Sequence, residues 1–218
     1  MSTNVEAART QMVNQQVRAW DVLDPAVLAV LAQVPREQFV PPRFRSLAFA
    51  DTEIPLGHGE LMMTPQVEGR LLQALAIRGT DRVLEIGTGS GFLTACLARL
   101  ASRVTSLEIE PELADAGRRN LRSVSTWNAE ILAEDVFGYS PAGTFDVIAV
   151  TGSLPQEDER FQHWLADGGR LFVVVGEEPL MQARLLTRQG PGQWLTTTLF
   201  ETSLPALRHA AVPSHFRF

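Results

Sequence analysis

Beyond Gly79 the chain alternates short apolar runs with amphipathic stretches. The apolar runs predict β-strands over residues 82–86, 104–109, 129–132, 145–150 and 170–175. The stretches between them predict helices over residues 91–100, 111–122 and 157–165. Strands that alternate with helices in this way form a mostly parallel sheet with helices on both faces.

Before Gly79 the apolar positions recur at helical spacing and prolines interrupt them. This pattern predicts helices over residues 5–17, 25–34 and 65–78, and the last two each begin with a cap residue followed by proline. Residues 51–63 contain one proline and two glycines and show little periodicity. We therefore predict a long loop there, and such loops are often functional.

The C-terminal part has a third pattern. Residues 180–187 and 194–201 flank a Gly-Pro-Gly turn, which predicts a long hairpin that adds antiparallel strands to one sheet edge. Residues 213–218 carry two Phe and one Arg, which favours docking of this tail on the domain. The chain thus divides into an N-terminal helical cap with a substrate-side loop (1–78), a ligand-binding core (79–179) and a C-terminal hairpin and tail (180–218). Together they form one compact α/β domain with a Rossmann-like, mostly parallel sheet.

Three glycines follow the first predicted strand and open the next helix. They belong to the segment Glu85-Ile86-Gly87-Thr88-Gly89-Ser90-Gly91. Glycine lets the backbone turn tightly and lets a ligand approach closely, so all seven residues are candidates for cofactor binding. The G-x-G-x-G spacing differs from the G-x-G-x-x-G of dinucleotide binders, and no G-K-S/T triplet follows. The segment therefore disfavours NAD and nucleoside triphosphates.

Carboxylates near the ends of three successive strands complete a candidate ligand site. Glu85 ends the first strand, where its charge suits the ammonium of an amino-acid-bearing ligand. Glu108, followed by Ile109, ends the second strand, where an acidic side chain accepts hydrogen bonds from ribose hydroxyls. Asp135, preceded by Glu134, follows the third strand and can accept a hydrogen bond from the amine of adenine. A ligand with an ammonium, a ribose diol and an adenine is S-adenosyl-L-methionine, whose demethylated product is S-adenosyl-L-homocysteine.

Composition narrows the classes of function. The 218 residues are 45% hydrophobic and 20% charged, which is enough for one folded domain. A net charge of −6 without an Arg-rich run argues against nucleic-acid binding, and the absence of Lys excludes a lysine Schiff base. One Cys excludes an internal disulfide, and the four His lack metal-ligand spacing, so no metal site is predicted. We see neither a signal peptide nor an apolar run of 18 residues, which predicts a cytoplasmic protein outside the membrane.

Five segments carry a resemblance to a known family. They lie at residues 34–41, 48–59, 81–91, 145–152 and 168–171, within the range 22–176. Together they resemble the protein-L-isoaspartate O-methyltransferase family, and the proline-rich block at 34–59 is its most specific part. The resemblance implies a class I methyltransferase sheet with an N-terminal helical cap and S-adenosylmethionine as methyl donor. It also implies methyl transfer to the free carboxylate of isoaspartyl residues in damaged proteins.

The same resemblance places Met63 at the position of a substrate-facing serine of the family. Thr64 and His58 are the other candidate catalytic residues, although Thr64 also fits a helix N-cap and His58 a structural hydrogen bond. Thr151 follows the fourth strand, at the rim where acceptors lie in such sheets. Methionine has no hydrogen-bond donor, and Glu60 would repel an anionic substrate if it pointed inward.

Three other hypotheses remain open beside isoaspartyl repair. One keeps the enzyme class and changes the methyl acceptor, because Met63 replaces the family serine. Another is a non-catalytic S-adenosylmethionine-binding sensor or partner protein. An NAD-dependent oxidoreductase is the last, and the glycine spacing disfavours it. Under the leading hypothesis we expect a protein or peptide substrate and a monomer or homodimer that binds neither nucleic acid nor membrane.

Overall fold

A computed structural model of the chain describes residues 2–212, and the predicted docking of residues 213–218 lies outside them. The described strands are β1 (Ile54–Gly57), β2 (Glu60–Met62), β3 (Arg82–Ile86), β4 (Arg103–Leu107), β5 (Ala129–Leu132), β6 (Phe145–Leu154), β7 (Leu165–Glu177), β8 (Leu180–Gly190) and β9 (Gln193–Glu201). The described α-helices are α1 (Ser2–Gln11), α2 (Pro25–Gln33), α3 (Pro65–Leu75), α4 (Phe92–Leu100), α5 (Pro111–Ser123) and α6 (Glu159–His163). A π-helical turn at Met12–Val17 extends α1, and 3₁₀ turns lie at Arg18–Trp20, Arg36–Gln38 and Pro42–Leu47.

Seven strands form one sheet in the order β5-β4-β3-β6-β7-β8-β9. The first five of these neighbours pair in parallel, whereas β8 and β9 add in antiparallel pairs. Helices connect β3 to β4, β4 to β5 and β6 to β7, as the sequence predicts, whereas residues 133–144 connect β5 to β6 without a helix. The predicted Rossmann-like α/β class with antiparallel C-terminal strands is confirmed.

Both faces of the sheet are buried, and the alternation along β3 shows how. Val83 belongs to a core cluster that also contains apolar residues of α2, α3 and α4. Leu84 and Ile86 point to the other face, where they pack in a cluster that includes Phe161 of α6. The N-terminal helices therefore cover one face of the sheet, since successive side chains of a strand point to opposite sides.

The predicted loop over residues 51–63 contains a short hairpin, so this prediction is wrong in part. Strand β1 pairs antiparallel with β2, and Ile54 lies opposite Met62. His58 and Gly59 form the tip of the hairpin. Strands of three and four residues offer too few alternating positions for a periodic pattern to reveal them.

Two boundaries around β6 and β7 also differ from the prediction. The helix predicted over residues 157–165 is only Glu159–His163, because Leu165 already pairs with Phe145 as the start of β7. Strand β6 continues past its predicted end at residue 150 to Leu154. Its extension pairs with the C-terminal segment, since Ser153 N–H donates to Pro205 O and Leu207 N–H donates to Ser153 O, both at 2.9 Å.

Candidate functional site

A cleft of about 770 Å³, partly open to solvent, lies at the carboxyl ends of the neighbouring strands β5, β4, β3 and β6. We call its sheet side the floor, which includes Ile86, Gly87, Gly89, Glu108, Ile109, Glu134, Asp135 and Thr151. We call the remaining walls the roof, which comprises Glu53, Glu60, Leu61, Met63 and residues 204–208. Clefts at the carboxyl ends of strands are where ligands bind in open parallel sheets.

The glycine loop after β3 packs so closely against Thr151 that no side chain fits at residue 87. Gly87 has φ +98°, and a Cβ there would lie 2.3 Å from Thr151 Oγ1. The Thr151 hydroxyl contacts the carbonyl oxygens of Ile86 at 2.8 Å and Gly87 at 2.7 Å, which fixes the turn. The loop backbone is therefore both exposed to the cleft and held in one conformation.

Glu108 is the acidic residue of the floor at the end of β4. Its Oε2 accepts the Gly89 N–H at 2.8 Å and its Oε1 accepts the Glu110 N–H at 3.0 Å. Burial raises the pKa of Glu108, although these two hydrogen bonds oppose the shift. Each carboxylate oxygen keeps a second lone pair, so Glu108 can still accept hydrogen bonds from a diol in the cleft.

Asp135 follows β5 and has contacts on both oxygens. Its Oδ1 accepts the Phe137 N–H at 2.9 Å, and its Oδ2 lies 2.7 Å from His209 Nδ1. Partial burial would raise the pKa of Asp135, but the bonds to His209 and Phe137 outweigh it and lower the pKa. A ligand amine that reaches Asp135 must therefore share or displace the His209 contact.

Glu85 lies beneath the glycine loop and outside the lining of the cleft. The side chain is completely buried, and its Oε2 accepts hydrogen bonds from Thr94 Oγ1 at 2.5 Å and Ser106 Oγ at 2.6 Å. Its Oε1 has no partner among the described residues. Burial raises the pKa of Glu85 to about 8. The sequence prediction that this carboxylate meets the ligand ammonium directly therefore has no support from its position.

The other predicted residues of the glycine loop have structural contacts. Thr88 Oγ1 lies 2.5 Å from Ser106 Oγ, which links the loop to the hydroxyl that also serves Glu85. Ser90 Oγ accepts the Phe92 N–H at 3.3 Å at the start of α4. Gly91 has φ +82° and packs against Gly117 of α5, whose Cα would lie 3.2 Å from an added Cβ. None of Thr88, Ser90 and Gly91 lines the main cleft.

Of the three candidate catalytic residues, the structure brings only Met63 into the cleft. Met63 is buried in the roof, and its carbonyl oxygen accepts a hydrogen bond from Arg36 Nη2 at 2.7 Å. Thr64 occupies the predicted N-cap position of α3, but its hydroxyl makes no capping hydrogen bond. His58 lies at the hairpin tip between Glu110 and Glu112, at 3.3 and 3.0 Å. Thr64 and His58 therefore remain predictions without a place in the cleft.

The C-terminal segment is the part of the site that the sequence analysis missed. Arg208 forms an ion pair with Glu60 at 3.0 Å and another with Glu110, and its Nη2 donates to His58 O at 2.7 Å. Its neighbour His209 contacts Asp135. No local signal marks Arg208, because its partners lie 98 and 148 residues away in the chain. The pairing with Arg208 partly offsets the charge of Glu60, because Arg208 is shared with Glu110.

The floor fits a ligand of the predicted kind. The backbone of Gly87 and Gly89 lines the cleft without a side chain, and carboxylates follow each of the next two strands. Among residues 2–212 no group of three or more His, Cys, Asp or Glu could hold a metal ion. The helices of the same range include none long and apolar enough to cross a membrane.

The sheet order and this floor define the class of the protein, an S-adenosylmethionine-dependent methyltransferase of class I. The chain matches the sequence profile of the protein-L-isoaspartate(D-aspartate) O-methyltransferase family over residues 7–204. It therefore belongs to that family.

Named relatives agree with this family. A protein-L-isoaspartate O-methyltransferase 1 of Anaeromyxobacter sp. (strain Fw109-5) is 39% identical over 91% of this chain and 95% of its own length. One of Rhodopseudomonas palustris (strain HaA2) is 39% identical over 83% of this chain and 74% of its own. The crystal structure of a Plasmodium falciparum protein described as a protein-L-isoaspartate O-methyltransferase, in complex with S-adenosyl-L-homocysteine, superimposes with a TM-score of 0.81. It covers 92% of this chain and 98% of that one at 20% identity, so it supports the fold.

Proposed function

We propose that this protein transfers a methyl group from S-adenosylmethionine to the free carboxylate of isoaspartyl residues in damaged proteins. The observation that carries the proposal is the order of groups along the floor: a glycine loop after β3, Glu108 after β4 and Asp135 after β5. Membership of the isoaspartate family supplies the acceptor.

The floor residues would hold the cofactor along the sheet edge. Asp135 would accept the amine of adenine, and Glu108 would accept the ribose hydroxyls. The main chain of Gly87 and Gly89 would lie against the part of the ligand that follows, because no side chain keeps it away. Ile109 and Glu134 line the cleft between these groups and complete its wall.

The cofactor supplies a sulfonium whose methyl group is transferred as the S–CH₃ bond breaks and its electron pair returns to sulfur. A carboxylate acceptor forms the new O–CH₃ bond without a general base, since it is ionised near neutral pH. The task of the chain is then to orient the acceptor and exclude water. The buried Met63 and its roof neighbour Leu61 serve that second task.

Arg208 brings a cation to the roof that an anionic acceptor can use, although Glu60 and Glu110 share it. Glu60 alone would repel a carboxylate, but Arg208 lies 3.0 Å from it and also contacts Glu110. A guanidinium presents several donors in one plane, so it can be shared between such a carboxylate and a substrate.

A methyl-transfer assay tests the proposal. Tritiated S-adenosylmethionine is incubated with the protein and two peptides that differ only in an isoaspartyl or a normal aspartyl residue. We expect base-labile methyl esters on the isoaspartyl peptide and at most trace labelling of the other. Absence of labelling by a protein that still binds S-adenosylhomocysteine would contradict the assigned acceptor.

Met63 favours a second candidate, a methyltransferase with a different acceptor. Its side chain lines the cleft where a hydrogen-bonding serine is expected. The substitution Met63→Ser separates the two candidates. If it raises isoaspartyl labelling from a negligible level, the natural acceptor is another one. If the wild type is already active, the first proposal stands.

The remaining alternative is a cofactor-binding sensor or partner protein without catalysis. Under the leading proposal we place the protein in the cytoplasm as a monomer or homodimer that binds neither nucleic acid nor membrane. Labelling of a lysate with tritiated cofactor distinguishes the sensor, because it would bind S-adenosylhomocysteine without marking any acceptor. Light scattering of the purified protein measures its oligomeric state.

A further inference from the structure

A second cavity adjoins the cleft on the far side of the glycine loop. Its empty space is about 310 Å³ when the mouth open to solvent is included, and we call it the inner cavity. Its walls include Met63, Glu68, Thr88, Ser90 and Leu93. Leu61, Met63, Gly87, Gly89 and Thr151 line both spaces, so the two cavities meet at the glycine loop.

The sheet order gives the direction in which a cofactor would lie. Asp135, Glu108 and Gly87 follow β5, β4 and β3, which are successive neighbours, and Thr151 lies in the next strand, β6. An adenine at Asp135 and a ribose at Glu108 therefore send the rest of the ligand over the glycine loop towards Thr151. The inner cavity meets the cleft at that point, so it offers space to the amino-acid end.

Glu68 is the acidic residue in the walls of the inner cavity. It lies on α3 and is 2% exposed. Arg36, also completely buried, binds Oε2 of Glu68, while its Nε donates to Ala48 O at 2.9 Å and its Nη2 to Met63 O at 2.7 Å. The carboxylate is thus fixed in position, and Arg36 binds only one of its two oxygens.

Glu85 is the carboxylate that the sequence assigns to the ligand ammonium, but its surroundings suit that role less well than those of Glu68. It lines neither cavity, and its engaged oxygen faces Thr94 of α4 and Ser106 of β4. A cationic group in the inner cavity meets Glu68 without passing through the floor. Ser90, at the N-terminal end of α4, lines the same space, and that end of a helix favours an anionic group such as the ligand carboxylate.

We propose that Glu68, held by Arg36, is the carboxylate that receives the α-ammonium of the cofactor, in place of Glu85. The inference rests on the proposed function, because it concerns the cofactor of that reaction. It assigns the amino-acid end of the ligand to the inner cavity and the adenosine end to the floor.

Two ligands that differ only at the amino-acid end test this assignment. Isothermal titration calorimetry measures the Kd of S-adenosylhomocysteine and of 5′-methylthioadenosine, which keeps the adenosine and thioether but lacks the ammonium. For Glu68→Gln we expect the Kd of S-adenosylhomocysteine to rise about 10- to 100-fold, the loss typical of a hydrogen bond between charged groups. The Kd of 5′-methylthioadenosine should change less than about threefold. The matched control Glu85→Gln should preserve the ratio of the two affinities.

The single variant Glu68→Gln leaves the buried Arg36 unpaired, which can prevent folding. The double variant Arg36→Gln/Glu68→Gln avoids this problem, because neither position then carries a buried charge. It should show the same loss of discrimination between the two ligands. Retention of the wild-type ratio in either folded Glu68 variant, or its loss in Glu85→Gln, would overturn the assignment. If the wild type binds neither ligand, the proposed function itself fails.

Discussion

The floor and the roof of the cleft are held together by different forces. The floor is fixed by backbone hydrogen bonds of adjacent strands and by short contacts such as that between Glu108 and the Gly89 N–H at 2.8 Å. The roof also has backbone hydrogen bonds, between Ser153 of β6 and residues 205 and 207, but its charged side chains are held by partly exposed ion pairs, chiefly those of Arg208 and His209. Exposed ion pairs are weak and are screened by salt, whereas sheet contacts are neither. Cofactor binding should therefore depend on backbone geometry, and acceptor binding on a few charges.

The largest expected effect comes from Gly87→Ala in the floor. Its φ of +98° and a Cβ contact of 2.3 Å with Thr151 Oγ1 leave no room for a methyl group. We expect the Kd of S-adenosylhomocysteine to rise at least about 100-fold, since both strain and a clash must be relieved by moving the loop. Calorimetric titration measures this.

Gly79→Ala is the matched control for that change. An added Cβ at residue 79 meets nothing within 4 Å. The control should bind the cofactor product like the wild type. Wild-type affinity in Gly87→Ala would show that the ligand does not depend on the floor as described.

The next effect concerns how the free energy of unfolding depends on pH through Glu85, which lies beneath the floor. Burial raises the pKa of Glu85 from 4.5 to about 8, so the folded state holds a proton that the unfolded state has lost between these values. This contribution to stability is complete below about pH 4.5 and is lost as the pH rises through about 8. Glu85→Gln stays neutral, so its free energy of unfolding relative to the wild type should increase by about 2–4 kcal/mol between pH 5 and pH 9.

Urea denaturation at several pH values measures that difference. Glu159→Gln, at an exposed position on α6, serves as the control and should show the same pH profile as the wild type. A parallel profile for Glu85→Gln would mean that the buried carboxyl is ionised throughout the range.

Removal of the Arg208 ion pairs in the roof should have a smaller effect. This effect should appear in acceptor binding. In Arg208→Ala, Glu60 and Glu110 lose their shared cation, so the KM for an isoaspartyl peptide should rise about three- to tenfold. The Kd of S-adenosylhomocysteine should change less than about twofold.

Arg103→Ala is the matched control, because it removes an exposed ion pair with Glu130 on the same sheet, away from the cleft lining. It should leave the KM for the peptide and the Kd of S-adenosylhomocysteine unchanged. The division into floor and roof would be wrong if Arg208→Ala weakened cofactor binding more than acceptor binding.

The smallest expected effect lies where floor and roof meet. His209, whose side chain is 67% exposed, contacts the Asp135 oxygen that we assign to adenine. His209→Ala frees this oxygen, so S-adenosylhomocysteine should bind about twofold more tightly, as expected for loss of an exposed competing pair. Weaker binding would indicate that His209 supports the ligand rather than competes with it.

The sequence predicts the floor well because its determinants are local. Gly87, Glu108 and Asp135 each follow a strand with a clear apolar pattern, and parallel strands bring their carboxyl ends to one edge. The alternation of side chains along β3 also explains why Glu85 lies outside the cleft. Period two in β3 sets Glu85 on the same side as Val83, and that face is covered by α4 and the N-terminal helices.

The roof could not be predicted in the same way. The β1–β2 hairpin is too short for a periodic signal, and Arg208 gains its meaning only from Glu60 and Glu110, far away in the chain. Glu68 and Arg36 lie 32 residues apart, in α3 and in a polar 3₁₀ turn, and nothing in the local pattern marks them as a pair. Contacts of this kind follow from tertiary packing rather than from local pattern.

The central claim is that the floor binds the cofactor, and calorimetric titration of S-adenosylhomocysteine into the wild type and Glu108→Ala tests it most directly. The wild type should bind one equivalent per chain, and the variant should bind at least about tenfold more weakly, because a charged acceptor for the ribose is gone. A wild type that binds no S-adenosylhomocysteine, or a Glu108→Ala variant that binds it equally well, would contradict the account.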